Sequence, residues 1–541
     1  MRKLQIGIID LVSKSAHPGL WARVMNANFA SIMPQVVASW CETQGHDVTL
    51  VCHTGFENLL EELPAKPDLV FIGAFTEAAH LAYAISNLLQ SRGAITALGG
   101  PHARCYPQDA RRYFDYVLGF TDQDVIRDVL QDCTRHRPFG VHLSAKTQPT
   151  SLPGVHERWR FVEATLRKAP TIKIVPMIGS LGCPYSCSFC IDASVPYQPI
   201  DPETIKDDLR FLLTKFRRPH VGWHDPNFGI RFDESMQIIE DAVPPDRIDF
   251  IAESTLSLLS EDHVKRMKRN GFKALLPGIE SWYEHGGKSK TGKATGMEKV
   301  REVSDQVNMI LGHVPYMQTN FVLGLDSDEG TEPFELTKRF LDMSPGVFPA
   351  FSLLTSFGRA APVNLEYQRT GRILPFPFHV LNNHHAMNVR VKNYTWPEFY
   401  SHIIDLSDHA FSRRMMARRL RVNGLGIPGG LNLIRALSSE GGGRIRYFRS
   451  VRWQLDTDRR FRAFHDQDSL EVPPFYSDRI RADLGSFWEL LPDDALRHDP
   501  NEYLNSHMAE TAAGLLPAPA VDQAAVAAPL PSHEPTATLD T

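Results

Sequence analysis

Three cysteines lie within eight residues of one another and are the residues best suited to do chemistry. Cys183, Cys187 and Cys190 form a C-x3-C-x2-C motif, and the other four cysteines are scattered through the first quarter of the chain. Three thiolates on one loop can hold three irons of a cubane [4Fe–4S] cluster and leave the fourth iron open to a substrate or cosubstrate. The competing interpretation is a zinc site completed by a distant histidine, although zinc loops more often use C-x2-C pairs. The spacing therefore favours an open-iron cluster.

The residues around this motif resemble the radical S-adenosylmethionine (SAM) superfamily. A hydrophobic segment at residues 172–178 precedes the motif, and the aromatic Phe189 stands directly before the last cysteine. The resemblance implies that SAM chelates the open iron and that one electron from the cluster cleaves SAM to a 5′-deoxyadenosyl radical. It also implies that Phe189 packs between the cysteine loop and the adenine of SAM, with a core-filling role as the alternative.

Composition sets the class of protein. The 541 residues are 43% hydrophobic and 22% charged, which is ordinary for a globular chain of several domains. A net charge of −5 gives no reason to expect nucleic-acid binding. Seven cysteines, an odd number, argue against a disulfide scaffold and favour a reducing cytoplasm. The first apolar run is broken by Asp10 and predicts a β-strand, and no run of about 20 apolar residues predicts a membrane span.

Strand-like and helix-like runs alternate over residues 1–140 and predict a doubly wound, Rossmann-like parallel sheet with crossover helices. No Gly-x-Gly-x-x-Gly follows a strand, so dinucleotide binding has no support. The predicted strands are 4–9, 48–51, 69–74, 95–98 and 116–119, and the predicted helices are 29–43 and 77–90.

The turn after the fourth predicted strand resembles that of the cobalamin-binding-like domain found ahead of many radical SAM domains. It reads Gly99-Gly100-Pro101-His102-Ala103. The resemblance implies that Gly99, Gly100 and His102 bind the cofactor, and glycine permits close approach of the backbone to a planar ligand. The Asp-x-His-x-x-Gly signature that supplies a lower axial histidine is absent, so the lower face of a corrinoid would be held by packing or by a contact other than histidine. The alternative is a flavodoxin-like domain without a corrinoid.

Residues 141–170 are predicted to be a linker, and regular alternation resumes over residues 171–360. Six predicted β/α units there indicate a partial (β/α)6 barrel, with the active site at the carboxyl ends of its strands. A mainly helical C-terminal cap is predicted over 361–510, and an Ala- and Pro-rich disordered tail over 511–541. The six predicted strands are 172–178, 220–225, 248–253, 274–278, 318–323 and 348–354.

Three acidic residues follow the second, third and fourth strands of the predicted barrel. The resemblance implies that Asp225 lies near the SAM amino group, and that Glu253 and Glu280 lie near the SAM ribose and carboxylate. A structural ion pair at the barrel rim is the alternative for the two glutamates. The nearby Gly-rich segment 287–294 is not a phosphate-binding loop, because Ala294 stands where a Mg²⁺-binding Ser or Thr is needed.

Together these features predict a cobalamin-associated radical SAM enzyme. The resemblance implies methyl transfer to an unactivated carbon, or to phosphorus, of a small-molecule or lipid substrate, with flavodoxin or ferredoxin as a reducing partner. The alternatives are a radical rearrangement, cyclisation or oxidation without methylation, and a cluster- or corrinoid-binding sensor without turnover. No side chain is singled out as an acid–base catalyst.

Overall fold

The structure is a computed structural model that describes residues 2–15, 20–135, 137–193 and 195–512. The disordered tail was predicted over residues 511–541. Its first two residues form the end of the last helix, and residues 513–541 lie outside the described residues. None of the described helices is long and apolar enough to cross a membrane.

A six-stranded parallel sheet forms the N-terminal part of the fold, in the order β2-β1-β3-β4-β5-β6. The order reverses beside β1, as in doubly wound sheets, and ligands of such sheets bind at the carboxyl edge near this reversal. Its inner strands are buried on both faces, which explains their near-continuous apolar sequences. The strands are β1 (Gln5–Leu11), β2 (Asp47–His53), β3 (Leu69–Ala74), β4 (Ile95–Gly99), β5 (Tyr116–Leu118) and β6 (Val141–Leu143).

The predicted linker contains two elements that the sequence pattern did not indicate. β6 extends the first sheet beyond the predicted last strand, and α8 (Trp159–Leu166) buries Phe161 and Val162. β6 has three residues and none of them is buried, so it carries no hydrophobic pattern. α8 contacts both β2 and β7, so it packs between the two sheets of the molecule.

The second sheet has six long strands that pair in chain order and in parallel, as in part of a (β/α) barrel. All six predicted strands are present. The fourth is displaced to Phe272–Leu275, and a separate short strand follows after a break at Leu276 and Pro277. The strands are β7 (Ile174–Met177), β10 (His220–Trp223), β11 (Asp249–Ala252), β12 (Phe272–Leu275), β13 (Gly278–Glu280), β14 (Tyr316–Leu323) and β15 (Phe348–Leu353), and a small antiparallel pair is formed by β8 (Ser180–Leu181) and β9 (Gln198–Pro199).

Helices connect the strands of both sheets. Amphipathic runs and N-terminal caps specify them, as at Asp201, whose side chain accepts from the Thr204 N–H at the start of α9. The helices before β15 are α1 (Leu20–Met25), α2 (Ile32–Thr43), α3 (Leu59–Glu62), α4 (Ala79–Ser91), α5 (Pro101–Cys105), α6 (Pro107–Ala110), α7 (Gln123–Asp132), α8, α9 (Pro202–Lys215), α10 (Phe232–Ala242), α11 (Glu261–Arg269), α12 (Gly286–Ser289), α13 (Gly296–Leu311) and α14 (Glu332–Met343).

The region after β15 is mainly helical, and several of its helices pack on the second sheet. Arg419 is buried and donates to the carbonyl of Val347 at the start of β15, while Arg444 donates to the carbonyl of Phe351 within it. These helices are α15 (Val363–Arg369), α16 (Trp396–Ala410), α17 (Arg413–Asn423), α18 (Ile427–Leu437), α19 (Arg444–Thr457), α20 (Arg459–His465), α21 (Pro474–Leu484) and α22 (Glu502–Ala512). Shorter helical turns are Asn26–Phe29, Thr76–Ala78, Leu256–Leu258, Gly358–Ala360, Phe378–Val380, Ser439–Gly443 and Gly485–Leu490.

Candidate active site

The cysteine loop begins at the carboxyl end of β7 and is closed at its base by the β8–β9 pair. Gly182 sits at this closure with φ = +69°. A Cβ at this position would lie 2.2 Å from the carbonyl oxygen of Pro196 and 2.7 Å from that of Val195. Only glycine therefore lets the two ends of the loop approach each other.

Backbone contacts set the course of the loop between its cysteines. The N–H of Cys183 donates to Val195 at 3.3 Å, and the N–H of Cys190 donates to the carbonyl of Cys187 at 2.9 Å. Cys187 is buried, whereas Cys183 and Cys190 are partly exposed. Burial raises the pKa of the Cys187 thiol, and it raises the pKa of Cys190 to about 11.

Within the described residues, no three His, Cys, Asp or Glu side chains converge as ligands of a single metal ion. A cubane does not require such convergence, because each cysteine binds its own iron. A mononuclear zinc site does require it. The donor set of three thiols on one loop therefore fits the predicted cluster better than the zinc alternative.

Neighbouring parts of the chain hold the loop from three directions. The Tyr185 hydroxyl lies 2.9 Å from the Ser257 hydroxyl after β11. Arg104 from α5 pairs with Asp192 at 3.2 Å and donates to the Ile191 carbonyl. The loop also accepts a hydrogen bond at the Ser188 carbonyl from the start of α15. The N-terminal sheet, the second sheet and the C-terminal helices all meet at this loop.

Asp225 is buried, and its side chain binds the segment that leads into the cysteine loop. Its carboxylate accepts from the Gly179 N–H at 2.9 Å and from the Ser180 hydroxyl at 2.6 Å. Burial raises the pKa of Asp225 to about 6, against the lowering effect of these two donors. In this structure the side chain thus orients the segment that leads into the cysteines.

Glu280 and Lys288 form an ion pair close to the cysteine loop. Their Oε1 and Nζ atoms lie 2.6 Å apart, and the side chains are only 10% and 16% exposed. Burial would lower the pKa of Lys288, but Glu280 reverses the effect and raises it. Glu280 has φ = +64°, which is rare for a residue with a side chain, so the turn after β13 holds it in a strained conformation.

Glu253 and Asn227 lie together at the ends of β11 and β10. Glu253 is an exposed residue, and desolvation of its carboxyl group by the surrounding protein raises its pKa. The Glu253 carbonyl accepts a hydrogen bond from the Phe228 N–H at 2.8 Å. Asn227 directly precedes Phe228 in the chain, so this bond brings it close to Glu253. Asn227 is buried, and neither atom of its amide has a hydrogen-bond partner among the described residues. An unsatisfied buried amide is costly, and a bound water or a polar ligand group would relieve this cost.

A cavity of about 420 Å³ opens on one side of the cysteine loop, and Phe189, Cys190 and Glu280 line it. We call it the second-sheet cavity, because the ends of β13, β14 and β15 form part of its wall. Phe189 packs edge-on against His285 with ring centroids 5.5 Å apart. The remaining walls of the cavity are mostly apolar. They include Phe75, Pro101, Cys105, Ile191, Val322, Leu353, Phe357 and Leu381, with a polar set of Thr76, Glu77, Ser352, Thr355, Asn382 and Asn383.

Another cavity, of about 390 Å³, lies between the carboxyl edge of the first sheet and the cysteine loop, and we call it the first-sheet cavity. Gly99 and Gly100 line it, with Gly182 and Asp192 from the cysteine loop. A Cβ at Gly99 would have no atom within 4 Å, so a side chain there would enter open space. The exposed aromatic rings of Phe29 and Phe75 also face this cavity.

His102 does not line either cavity, contrary to the prediction that it binds the cofactor. It is fully buried, and its Nε2 lies 2.6 Å from the Tyr83 hydroxyl. Its ring packs against Phe378 with centroids 4.8 Å apart, and burial lowers its pKa to about 3. Because α5 turns inward directly after Pro101, the histidine becomes part of the core rather than of the ligand site.

No sequence pattern singled out Glu77 and Asn382, which line the second-sheet cavity, or Lys288, which pairs with the lining residue Glu280. Lys288 belongs to the Gly-rich segment that was considered only as a phosphate loop. Glu77 and Asn382 come from distant parts of the chain and are hydrogen-bonded to each other. Glu77 also pairs with Lys14 at 3.1 Å. No motif connects these residues, so only the fold could bring them together.

Comparison with known proteins assigns the central segment. Residues 177–330 match the radical SAM superfamily. Over 298 residues, the chain is 24% identical to bacteriochlorophyllide d C-12(1)-methyltransferase from Chlorobaculum tepidum, a match covering 54% of this chain. This match spans 64% of the length of that relative, which is just under two thirds.

Two solved structures share the fold at low sequence identity. TsrM from Kitasatospora setae, a radical S-adenosylmethionine methyltransferase with tryptophan substrate and aza-SAM bound, has a TM-score of 0.51 at 13% identity, over 69% of this chain and 78% of that chain. OxsB, a cobalamin-dependent S-adenosylmethionine radical enzyme with aqua-cobalamin bound, has a TM-score of 0.52 at 12% identity, over 95% and 82%. Residues 177–330 of this chain thus match the radical SAM superfamily, and the chain shares its fold with solved cobalamin-dependent radical SAM enzymes.

Proposed function

We propose that the chain is a cobalamin-dependent radical SAM methyltransferase that transfers a methyl group to an unactivated carbon, or to phosphorus, of a small-molecule or lipid substrate. The observation that carries the proposal is the position of the cysteine loop between two cavities. Gly182 and Asp192 face the first-sheet cavity, and Phe189 and Cys190 face the second-sheet cavity. A cluster on this loop would be within reach of ligands in both.

Cys183, Cys187 and Cys190 are the proposed ligands of a [4Fe–4S] cluster. Three ligands leave one iron open, and the site supplies no fourth cysteine from the loop itself. When bound, the cluster supplies the electron that cleaves SAM. The polar residues around Glu280 are the proposed contacts of SAM, because a zwitterionic cosubstrate needs both charges and hydrogen bonds in an otherwise apolar cavity.

Glu253, Glu280 and Lys288, with the unsatisfied amide of Asn227, are the group that fits this role. Asp225 is proposed to act differently, by fixing the loop through Gly179 and Ser180. Phe189 is proposed to lie against the adenine, since its ring is partly exposed in the second-sheet cavity.

The first-sheet cavity is the proposed cobalamin site. Gly99 and Gly100 leave room at the strand ends, and the exposed rings of Phe29 and Phe75 suit a broad, largely apolar ligand. No histidine from the N-terminal sheet lines this cavity in the described residues. The fit supports a corrinoid whose lower face is held by packing. His224 is on the opposite side, at the end of β10, and enclosure lowers its pKa to about 4.

The second-sheet cavity is the proposed substrate site. Apolar walls exclude water from a reactive intermediate, while the polar residues at one end orient the substrate. Burial alone would raise the pKa of Glu77, but the charge of Lys14 and the hydrogen bond from Asn382 lower it further than burial raises it. The Glu77 carboxylate therefore stays charged at neutral pH. A substrate with a large apolar body and one polar end fits this arrangement.

The two sheets support the proposed division of the chain, except that β6 extends the first sheet into the proposed linker. A cobalamin-binding domain over residues 1–140, a linker over 141–170, a partial (β/α)6 barrel over 171–360 and a helical cap over 361–510 are proposed. A cytoplasmic location and a flavodoxin- or ferredoxin-like reductant complete the proposal. All seven cysteines are free, which supports a reducing environment.

The experiment is anaerobic reconstitution with iron, sulfide and hydroxocobalamin, followed by desalting and absorbance spectroscopy. The chain should retain about four irons, as one cubane requires, together with corrinoid bands. Cys187→Ala should lose the iron and keep the corrinoid, whereas Cys105→Ala, in the wall of the second-sheet cavity, should keep both. Absence of retained corrinoid in the wild-type chain would contradict the assignment of the first-sheet cavity.

A further inference from the structure

An exposed aliphatic surface lies far along the chain from the cysteine loop, on the hairpin of α17 and α18. Leu425 and Ile427 at its tip are 94% and 83% exposed, and Val422, Ile434 and Leu437 are each more than half exposed. We call these five residues the apolar tip. Large aliphatic side chains at such exposure are unfavourable in water unless something covers them.

The hairpin holds the apolar tip outward by its own packing. A Cβ at Gly429 would lie 2.0 Å from the carbonyl oxygen of Gly424, so the two helices are in close contact just behind the tip. Asn423 donates to the Gly346 carbonyl at 2.9 Å, and the buried Arg419 donates to the carbonyls of Val347 and Ala410. The tip is therefore a fixed projection, and these contacts prevent its side chains from folding back into the core.

The segment that carries the apolar tip is strongly basic. Residues 413–453 contain ten arginines and a single acidic residue, Glu440, in a chain of net charge −5. Within the described residues, four of these arginines are exposed and form no ion pair: Arg413, Arg414, Arg421 and Arg446. Arg421 directly precedes Val422 at the edge of the tip.

This combination distinguishes between possible occupants. A second copy of the chain would bring two sets of unpaired arginines together, which is unfavourable. Single-stranded nucleic acid needs aromatic rings for base stacking, and the five residues of the tip are all aliphatic. An anionic lipid surface provides both an apolar layer for the aliphatic side chains and negative headgroups for the arginines.

We propose that the apolar tip and its four unpaired arginines dock the protein on the surface of an anionic lipid bilayer. The aliphatic side chains enter the boundary between headgroups and acyl chains, and the arginines bind the lipid phosphates. The contact is peripheral and does not depend on the cluster, the corrinoid or the reaction.

The test is flotation of the full-length chain with vesicles of phosphatidylcholine alone or phosphatidylcholine mixed with phosphatidylglycerol. The wild-type chain should float with the mixed vesicles, and binding should weaken as salt rises. Leu425→Ser/Ile427→Ser should bind on the order of 100-fold more weakly, because two aliphatic side chains no longer enter the bilayer. Arg414→Gln/Arg421→Gln/Arg446→Gln should lose on the order of 100-fold in affinity for the mixed vesicles.

Matched controls are Leu470→Ser, which removes an aliphatic residue that is 66% exposed elsewhere, and the exposed Arg460→Gln. Both should bind as the wild type does, and circular dichroism should show that all variants are folded. The proposal is overturned if the wild-type chain ignores the mixed vesicles, or if the tip variants bind them unchanged. Sedimentation that shows a dimer broken by the tip variant, without vesicle binding, would overturn it in favour of a second copy.

Discussion

At the scale of single residues, Glu280 and Lys288 form a nearly buried ion pair close to the cysteine loop. Both side chains are nearly buried, so removal of one partner leaves an uncompensated charge. The contribution of the pair to the stability of the fold can therefore be measured separately from its proposed contact with SAM.

We predict that Lys288→Met lowers the free energy of unfolding by about 3 kcal/mol, because Glu280 is left buried without its partner. Lys288→Met/Glu280→Gln should recover most of that stability, since both charges are gone. Neither variant should bind SAM as the wild type does. Urea denaturation and equilibrium SAM binding measure the two effects, and equal stability of the single and double variants would contradict the role of the pair.

A second residue-scale prediction concerns pH. Burial raises the pKa of Asp328 to about 7, although its carboxylate accepts from the N–H groups of Gly324 and Leu325. The folded chain thus holds this proton more tightly than the unfolded chain, whose Asp pKa is about 3.9. The stabilisation is fully present below pH ~4 and is lost as the pH rises through about 7.

Asp328→Asn keeps an acceptor for the two N–H groups but has no charge to desolvate. Relative to the wild type, this variant should gain stability between about pH 5 and pH 8, by on the order of 3 kcal/mol at the upper end. Thermal unfolding of both proteins across that range measures the difference. A constant difference at all pH values would show that Asp328 does not titrate there.

The sequence specified some of these residues and not others. The three cysteines stand out in the sequence because cluster ligands need close spacing on one loop, and their binding of a cluster stays a prediction. Lys288 was not predictable, because it reaches Glu280 only through a short turn in which His285 and Lys290 take positive φ values of 58° and 60°. The burial of His102 was not predictable either, because the Gly-Gly-Pro-His pattern does not reveal that α5 turns this side chain into the core.

At the scale of elements, the ends of the parallel strands position everything proposed here. Gly99 ends β4 at the first-sheet cavity, and its φ is not in the left-handed region, so a side chain there strains no backbone. Gly182, in contrast, has both a positive φ and a crowded Cβ position. The two glycines should therefore respond differently to substitution.

We predict that Gly99→Val removes corrinoid binding while leaving the melting temperature within about 2 °C of the wild type, since the new side chain enters the cavity rather than the core. Iron content should not change. Retention of hydroxocobalamin after desalting is the measurement, and normal retention by Gly99→Val would place the corrinoid elsewhere.

We predict that Gly182→Ala prevents closure of the cysteine loop, because its Cβ would contact the carbonyl oxygens of Pro196 and Val195. The variant should lose most of its iron after reconstitution. Gly287→Ala is the matched control, since a Cβ there meets no atom within 4 Å and its φ is not positive. Equal iron content in the two variants would contradict the role of Gly182.

Among the elements, long strands were predictable because burial on both faces gives continuous apolar runs, as in β1 and β3. β6 was not, because none of its three residues is buried and it carries no apolar run. β13 was not, because the break at Leu276 and Pro277 separates it from β12. The helix α8 was not predicted, because the prolines and glycine that precede it are typical of a linker. Short elements need tertiary contacts, and a local pattern does not contain those contacts.

At the scale of the whole molecule, three regions of the chain meet at the cysteine loop. Arg104 reaches it from the N-terminal sheet, Ser257 from the second sheet and Val363 from the C-terminal helices. This arrangement puts the proposed corrinoid and substrate cavities next to one loop, which contributes residues to the wall of each. The sequence predicted the regions separately, but their meeting point depends on distant contacts such as that between Glu77 and Asn382.

The most direct test of the central claim is product analysis on the reconstituted, dithionite-reduced chain supplied with SAM. We predict that 5′-deoxyadenosine and S-adenosylhomocysteine both form, that Cys187→Ala abolishes the former and that Gly99→Val abolishes the latter. With substrate present, the two products should appear in similar amounts. Formation of 5′-deoxyadenosine without S-adenosylhomocysteine would contradict methyl transfer in favour of another radical reaction, and no SAM cleavage at all would contradict an enzyme.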